Sequence, residues 1–313
     1  MKDLLDKIFP TLSDELIIVI SLIIGLLVTA SLILFLVKKI FPKTNISELA
    51  ARTRSWWIMA GMFISYNISY FFLAFLSFIA FRELYSVLGF READRGALFW
   101  GILAIPIQYY LAYLAWYGAF IIFIPVVMFL VLPLRLVLKG DTHGITKSMA
   151  LLQWILMLSV FGISHLAYLL SLPELPGFSS GGRGLLLFLV FLTEINDVMQ
   201  FIWGKLLGRH KILPKISPNK TWEGFLGGVI STTVIGYFLG FLTPLSAPNV
   251  ILVSALIAIA GFSGDVVISA IKRDKGIKDM GNSIPGHGGV FDRIDSLAYT
   301  APVFFHLVYY IAY

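Results

Sequence analysis

Apolar residues in this chain come in long unbroken runs rather than in alternating or one-sided stripes. Nine runs can be drawn, at 16–37, 56–81, 97–115, 117–137, 149–171, 184–203, 224–243, 249–271 and 294–313. An α-helix needs roughly 20 such residues to cross a hydrocarbon core about 30 Å thick. The expected fold is therefore all-α, a polytopic integral membrane helical bundle with about nine transmembrane helices. The third and fourth runs are hardest to separate, because 96–133 holds no charged residue. Trp116, Tyr117 and Gly118 supply the turn there, since Trp and Tyr favour the membrane interface. Leu16 to Val37 has no internal charge and ends in Lys38 and Lys39, which reads as a retained first helix and not a cleaved leader. The linker-like stretch Gly177 to Gly184 divides the chain into N-terminal helices over 1–183 and a C-terminal region over 184–313. No internal repeat is visible.

Composition agrees with a membrane solvent. Of the 313 residues, 58% are hydrophobic and 13% charged, against roughly 25% charged in soluble domains. The absence of cysteine excludes disulfide frameworks, thiolate zinc sites and a Cys nucleophile. The net charge of +6 fits membrane topology better than nucleic-acid binding, and no nucleic-acid partner is expected. With nine crossings, one face receives the N-terminus, 82–96, 135–147, 204–223 and 272–293, and with them 18 of the 24 Lys and Arg. The positive-inside rule assigns that face to the cytoplasm. Lys38, Lys39, Lys43, Arg52 and Arg54 argue the other way: either the first helix does not cross or this loop is an exception.

Candidate chemistry lies in the C-terminal region. Asp265 sits inside an apolar run, where an acid costs about 2.5–3.5 kcal/mol to insert and usually faces a partner or a wet cavity. Asp265, Ser269, Lys272 and Arg273 fall on one helical stripe running towards the surface. A helix anchored by Lys272 and Arg273, with Asp265 paired internally, is the plainer alternative. Beyond it come Lys278, Asp279, and Pro285 to Gly289, where the glycines permit tight turns that present N–H groups to an anion. His287 in that turn either braces it or moves protons. Asp292 and Asp295 point one way if the last helix starts near them. Carboxylates beside phosphate-binding cations suggest Mg²⁺, which takes hard oxygen ligands and is usually held by one or two carboxylates plus substrate phosphates. The earlier loop adds Lys205, Arg209, Lys211 and Lys220, with Glu194 and Asp197 at the mouth of a helix. Ser217-Pro218 favours a turn, Thr221 can cap the seventh helix, and Trp222 can sit at the interface.

The string from Ser269 through Lys272-Arg273, Lys278-Asp279, Gly281, Ile284-Pro285, His287-Gly288-Gly289-Val290 and Asp292-Arg293-Ile294-Asp295 resembles the signature of the phosphatidate cytidylyltransferases, or CDP-diacylglycerol synthases. Ser217 to Gly224 is similar to that family's second motif, and Gly208 to Lys211 to the approach to it. The likeness covers about 194–296; before that it is general hydropathy only. It implies that CTP and phosphatidate give CDP-diacylglycerol and pyrophosphate with Mg²⁺ required, at an inner-membrane site facing the cytoplasm. It further implies Asp265, Asp292 and Asp295 as metal carboxylates and Lys220, Lys272, Arg273 and Lys278 as phosphate binders. Asp279 and His287 lie within the catalytic motif. Asp197, Lys205, Lys211, Ser217, Thr221, Ser269, Gly288, Gly289 and Arg293 complete the implied substrate-binding set, and a homo-oligomer is compatible with it. One departure stands out: Val198-Met199-Gln200-Phe201 follows Asp197 where the family carries small residues and an aromatic, so the chain resembles a paralogous branch. The rival readings are a cytidylyltransferase for another lipid phosphate, a CTP-dependent lipid kinase, a transporter using Asp265 as an ion path, and a catalytically dead paralogue.

Overall fold

The computed structural model describes residues 14–41, 46, 50, 53, 57, 66–281 and 288–313. Among them nine helices run in chain order: α1 (Asp14–Ile40), α2 (Tyr66–Leu88), α3 (Arg95–Tyr113), α4 (Tyr117–Val137), α5 (Ile145–Leu170), α6 (Gly181–Leu206), α7 (Trp222–Phe238), α8 (Ala247–Asp274) and α9 (Phe291–Ala312). Seven of these, all but α7 and α9, are long and apolar enough to cross a membrane. α7 has 17 residues, and α9 carries Asp292 in its first turn. The chain is a polytopic helical membrane protein, as its apolar runs predict. Many large apolar side chains face outward where lipid would lie: Phe71 is 76% exposed and Phe238 70%.

The largest departure of a helix C-terminus from the predicted runs is at α2. The second run is expected to stop at 81, yet α2 continues through Arg82 and Glu83 to Leu88. Glu83 does not end the helix because its side chain is 3% exposed and occupied inside the protein. The turn expected at 116–118 falls slightly earlier, with Ala115 in the left-handed region (φ 51°) and α4 restarting at Tyr117. Both α4 and α5 contain a wider π-turn, at Phe123–Met128 and Met157–Gly162. In α4 the Ile124 carbonyl accepts from the Gln153 amide of α5 at 3.1 Å, a partner for backbone that lipid could not satisfy.

α6, α7, α8 and α9 form the C-terminal bundle. The buried residues of α7 are Gly224, Gly228, Thr232 and Gly236, one narrow stripe of small side chains. Such stripes let helix backbones approach closely in a membrane, where packing rather than water drives association. Here they press on Gln200, Gly204 and Ser254. Between α6 and α7 the loop expected over 204–223 contains a short antiparallel hairpin, β1 (Lys211–Leu213) and β2 (Ser217–Thr221), pairing Lys211 with Thr221 and Leu213 with Ser217. Lys43, Arg52, Arg54 and His287 lie outside the described residues, as does much of the predicted start of the second run.

Candidate active site

A cluster of polar side chains lies where α6, α8, α9 and the hairpin meet. On α6, Thr193, Asn196, Asp197 and Gln200 share one face, and three of them are almost fully buried: Thr193, Asn196 and Gln200. Asn196 is fixed from both sides, its amide donating to the Ala258 carbonyl at 3.2 Å and its oxygen accepting from the Thr232 hydroxyl at 3.3 Å. Asp197 Oδ2 accepts from the Ser296 hydroxyl at 3.2 Å, while its Oδ1 is buried with no hydrogen-bond partner among the described residues. The sequence reading includes Asp197 but misses Asn196 and Gln200. The usable signal was there: four polar residues at helical spacing in an otherwise apolar run.

Lys220, near the end of β2, links α8 to α6. Its ammonium bonds Asp265 Oδ2 at 2.6 Å and Gln200 Oε1 at 3.0 Å and lies 5.6 Å from the centre of the Phe262 ring. Asp265 also accepts from the Ser269 hydroxyl at 3.2 Å, one helical turn on. Gln200 Nε2, like Asp197 Oδ1, is a buried polar atom without a partner among the described residues. Asp295, 8% exposed, accepts from the Ser296 N–H at 2.8 Å.

Nearer the surface, Lys272 pairs with Asp292 Oδ1 at 3.1 Å, with side chains 14% and 7% exposed. Asp292 Oδ2 accepts from the N–H groups of Met280 at 2.7 Å and Gly289 at 2.9 Å. Gly288 adopts φ +81°, where a side chain would meet both Asp279 and Asp292. Glu83 of α2 joins this loop, accepting from the Val290 N–H at 2.9 Å and the Phe291 N–H at 2.8 Å.

The remaining expected residues are arranged around this centre. Thr221 caps α7 by accepting from the Gly224 N–H at 3.1 Å, and Ser217 is half-buried on β2. Arg273 donates from Nε to the Ile216 carbonyl at 3.2 Å, tying the end of α8 to the hairpin. Lys211, Lys278, Asp279 and Arg293 are exposed, and Lys205 places its ammonium 5.8 Å from the centre of the Phe201 ring. Glu223, at the head of α7, is held down to about 2 by the hydrogen bond to the His210 ring at 2.6 Å, with support from the Arg209 and His210 N–H groups.

Among the described residues no three Asp, Glu, His or Cys side chains form a ready-made metal cage. The donor set nevertheless suits Mg²⁺. All the candidate donors are carboxylate oxygens, one is orphaned, and Mg²⁺ usually completes its shell with water and substrate phosphate. Asp265 and Asp292 both accept at each oxygen, Asp265 from Lys220 and Ser269 and Asp292 from Lys272, Met280 and Gly289. An acidic floor with two reorientable lysines above it can accept a polyphosphate whose charge is partly neutralised by a divalent cation.

A model described as "Cytidylyltransferase family" matches residues 50–311. The uncharacterized protein YnbB of Escherichia coli (strain K12) is 41% identical over 300 residues, covering 94% of this chain and 98% of that protein. The phosphatidate cytidylyltransferase of Staphylococcus haemolyticus (strain JCSC1435) is 39% identical over 126 residues, 40% of this chain and 48% of that enzyme. That of Rickettsia bellii (strain RML369-C) is 40% identical over 119 residues, 36% of this chain and 52% of that enzyme. The alignments with these two enzymes thus span about half their length.

Proposed function

The chain belongs to the cytidylyltransferase family, and on that premise we propose that it transfers the cytidylyl group of CTP to a lipid phosphate in the membrane, phosphatidate first among them. A phosphate oxygen of the lipid attacks the α-phosphorus of CTP and forms the new P–O bond. The bond from that phosphorus to the α,β-bridging oxygen breaks, and its electron pair leaves with pyrophosphate. The lipid product is a CDP-linked lipid, CDP-diacylglycerol in the case of phosphatidate. The observation that carries this reading is Lys220 bonded to both Asp265 and Gln200, with the buried, unpartnered oxygen of Asp197 on the same face of α6 as Gln200.

In this proposal Asp265, Asp292 and Asp295 would hold Mg²⁺, with the unpartnered oxygen of Asp197 as a further ligand. Bound there, the ion supplies charge withdrawal from the triphosphate. Lys220 and Lys272 turn from their carboxylate partners to the phosphates and stabilise charge on the leaving group. Asp292 keeps Lys272 and the loop in register. The buried Gln200 amide, beside Lys220, is placed to donate to a phosphate oxygen. Little general-base chemistry is required, because the attacking oxygen is already anionic; positioning and neutralisation carry the step. The excess of Lys and Arg on the face expected for these loops supports an inner-membrane enzyme with its site towards the cytoplasm.

The test is turnover of purified protein with CTP, Mg²⁺ and a panel of lipid phosphates. Pyrophosphate and a CDP-lipid should appear with at least one member. Release of CDP would instead indicate a lipid kinase, and no consumption of CTP with any lipid would overturn the reading.

A further inference from the structure

The first turn of α9 begins at Val290, whose side chain cannot accept a hydrogen bond, and no local side chain caps it. Helix starts leave N–H groups without intrahelical partners, and buried ones must find them elsewhere. Here the partner comes from 207 residues away. Glu83, 3% exposed in the N-terminal half, takes Val290 N–H on Oε1 and Phe291 N–H on Oε2. A carboxylate is the natural group at this end of a helix, where the backbone dipole is positive. The fit is close: a Cβ added at Gly281 would lie 3.0 Å from Glu83 Oε1, and one at Gly289 would lie 2.5 Å from Oε2. Asp292 takes the neighbouring N–H groups of Met280 and Gly289. Two carboxylates, one from each half of the chain, therefore hold four backbone N–H groups around the loop between α8 and α9.

We propose that Glu83 is a positioning residue that fixes the first turn of α9, and through it Asp292 and Asp295, for the chemistry of the site. The N-terminal helices then do more than anchor the chain: α2 supplies the clamp on which the polar loop is set. Only the activity arm of the test rests on the proposed cytidylyl transfer.

Glu83→Gln keeps the volume but turns an N–H₂ group towards backbone N–H donors, whereas Glu83→Ala empties the site. Amide hydrogen exchange of both variants is compared with the parent, in detergent and without substrate. Exchange at Val290 and Phe291 should rise at least about tenfold in both, with the amides of α6 and α7 unchanged. CTP turnover should fall about tenfold to a hundredfold in kcat, while KM for the lipid holds. A space-filling role would instead leave Gln at parental exchange and turnover. Parental exchange in both variants, or raised exchange with parental kcat, overturns the proposal. If the parent protein itself consumes no CTP, the proposed function fails, and the exchange comparison still decides whether Glu83 fixes this turn.

Discussion

Replacing Asp292 with Asn strands Lys272. In the parent protein Lys272 Nζ lies 3.1 Å from Asp292 Oδ1, and the two side chains are 14% and 7% exposed. Asn keeps one acceptor oxygen, which the N–H groups of Met280 and Gly289 claim, since both now bond Oδ2. The new amide N–H₂ must then face the ammonium, and a buried cation is left without its counter-charge. Breaking such a pair from one side costs about 3–5 kcal/mol, whereas removing both charges is often nearly neutral. Asp292→Asn should therefore lower the stability of the folded protein in detergent by about 3 kcal/mol, and Asp292→Asn/Lys272→Met should recover most of that. Turnover should recover in neither: both variants should lose at least about a hundredfold in kcat, because the double variant also lacks the phosphate-facing lysine. Unfolding in mixed detergent micelles reads the first quantity and CTP consumption the second. A double variant no more stable than Asp292→Asn would refute the ion-pair argument, and Asp292→Asn with parental turnover would refute the role given to the loop.

Chelation of divalent cations should abolish turnover reversibly, with Mg²⁺ restoring it; Asp197→Asn should raise the half-saturating Mg²⁺ concentration about tenfold or more in the same titration. Gly228→Leu should cost about 1–3 kcal/mol, because even a Cβ there collides with the Gln200 side chain; comparing its unfolding with that of exposed Leu226→Ala checks the α6–α7 contact. Glu223 gives a pH dependence whose sign is fixed by its downward shift from 4.5 to about 2. Its contribution is fully present above 4.5 and is lost as the pH falls towards 2, so the stability gap between the parent and Glu223→Gln should narrow as the pH is lowered from 6 to 3. A gap that stays constant over that range would remove the His210–Glu223 bond as its cause.

The helices were legible because lipid-facing segments need apolar residues over their whole length, and seven of the nine observed helices meet that demand outright. α7 is short yet was also visible, since Gly227, Gly228 and Gly236 do not interrupt an otherwise apolar run. Where the reading misplaced a boundary, at the end of α2, the cause was treating Arg82-Glu83 as a surface signal. A charge that finds its partner 207 residues away carries no local mark of burial. The same limit applies to the polar cluster. Asp265 and Lys272 share a stripe of one helix and could be grouped from spacing alone. Lys220 meeting Asp265, and Lys272 meeting Asp292, are pairings between elements that no periodicity encodes. The hairpin at 211–221 escaped notice because three and five residues, most of them polar, are too few to show an alternating pattern.

The most direct measurement follows the phosphorus atoms of CTP. With nucleotide labelled at the α-phosphate, Mg²⁺ and phosphatidate, the label should move into the lipid fraction, one pyrophosphate appearing for each label transferred. Label that stays in the aqueous phase as CDP, or as unreacted CTP with every lipid phosphate tried, would contradict the account.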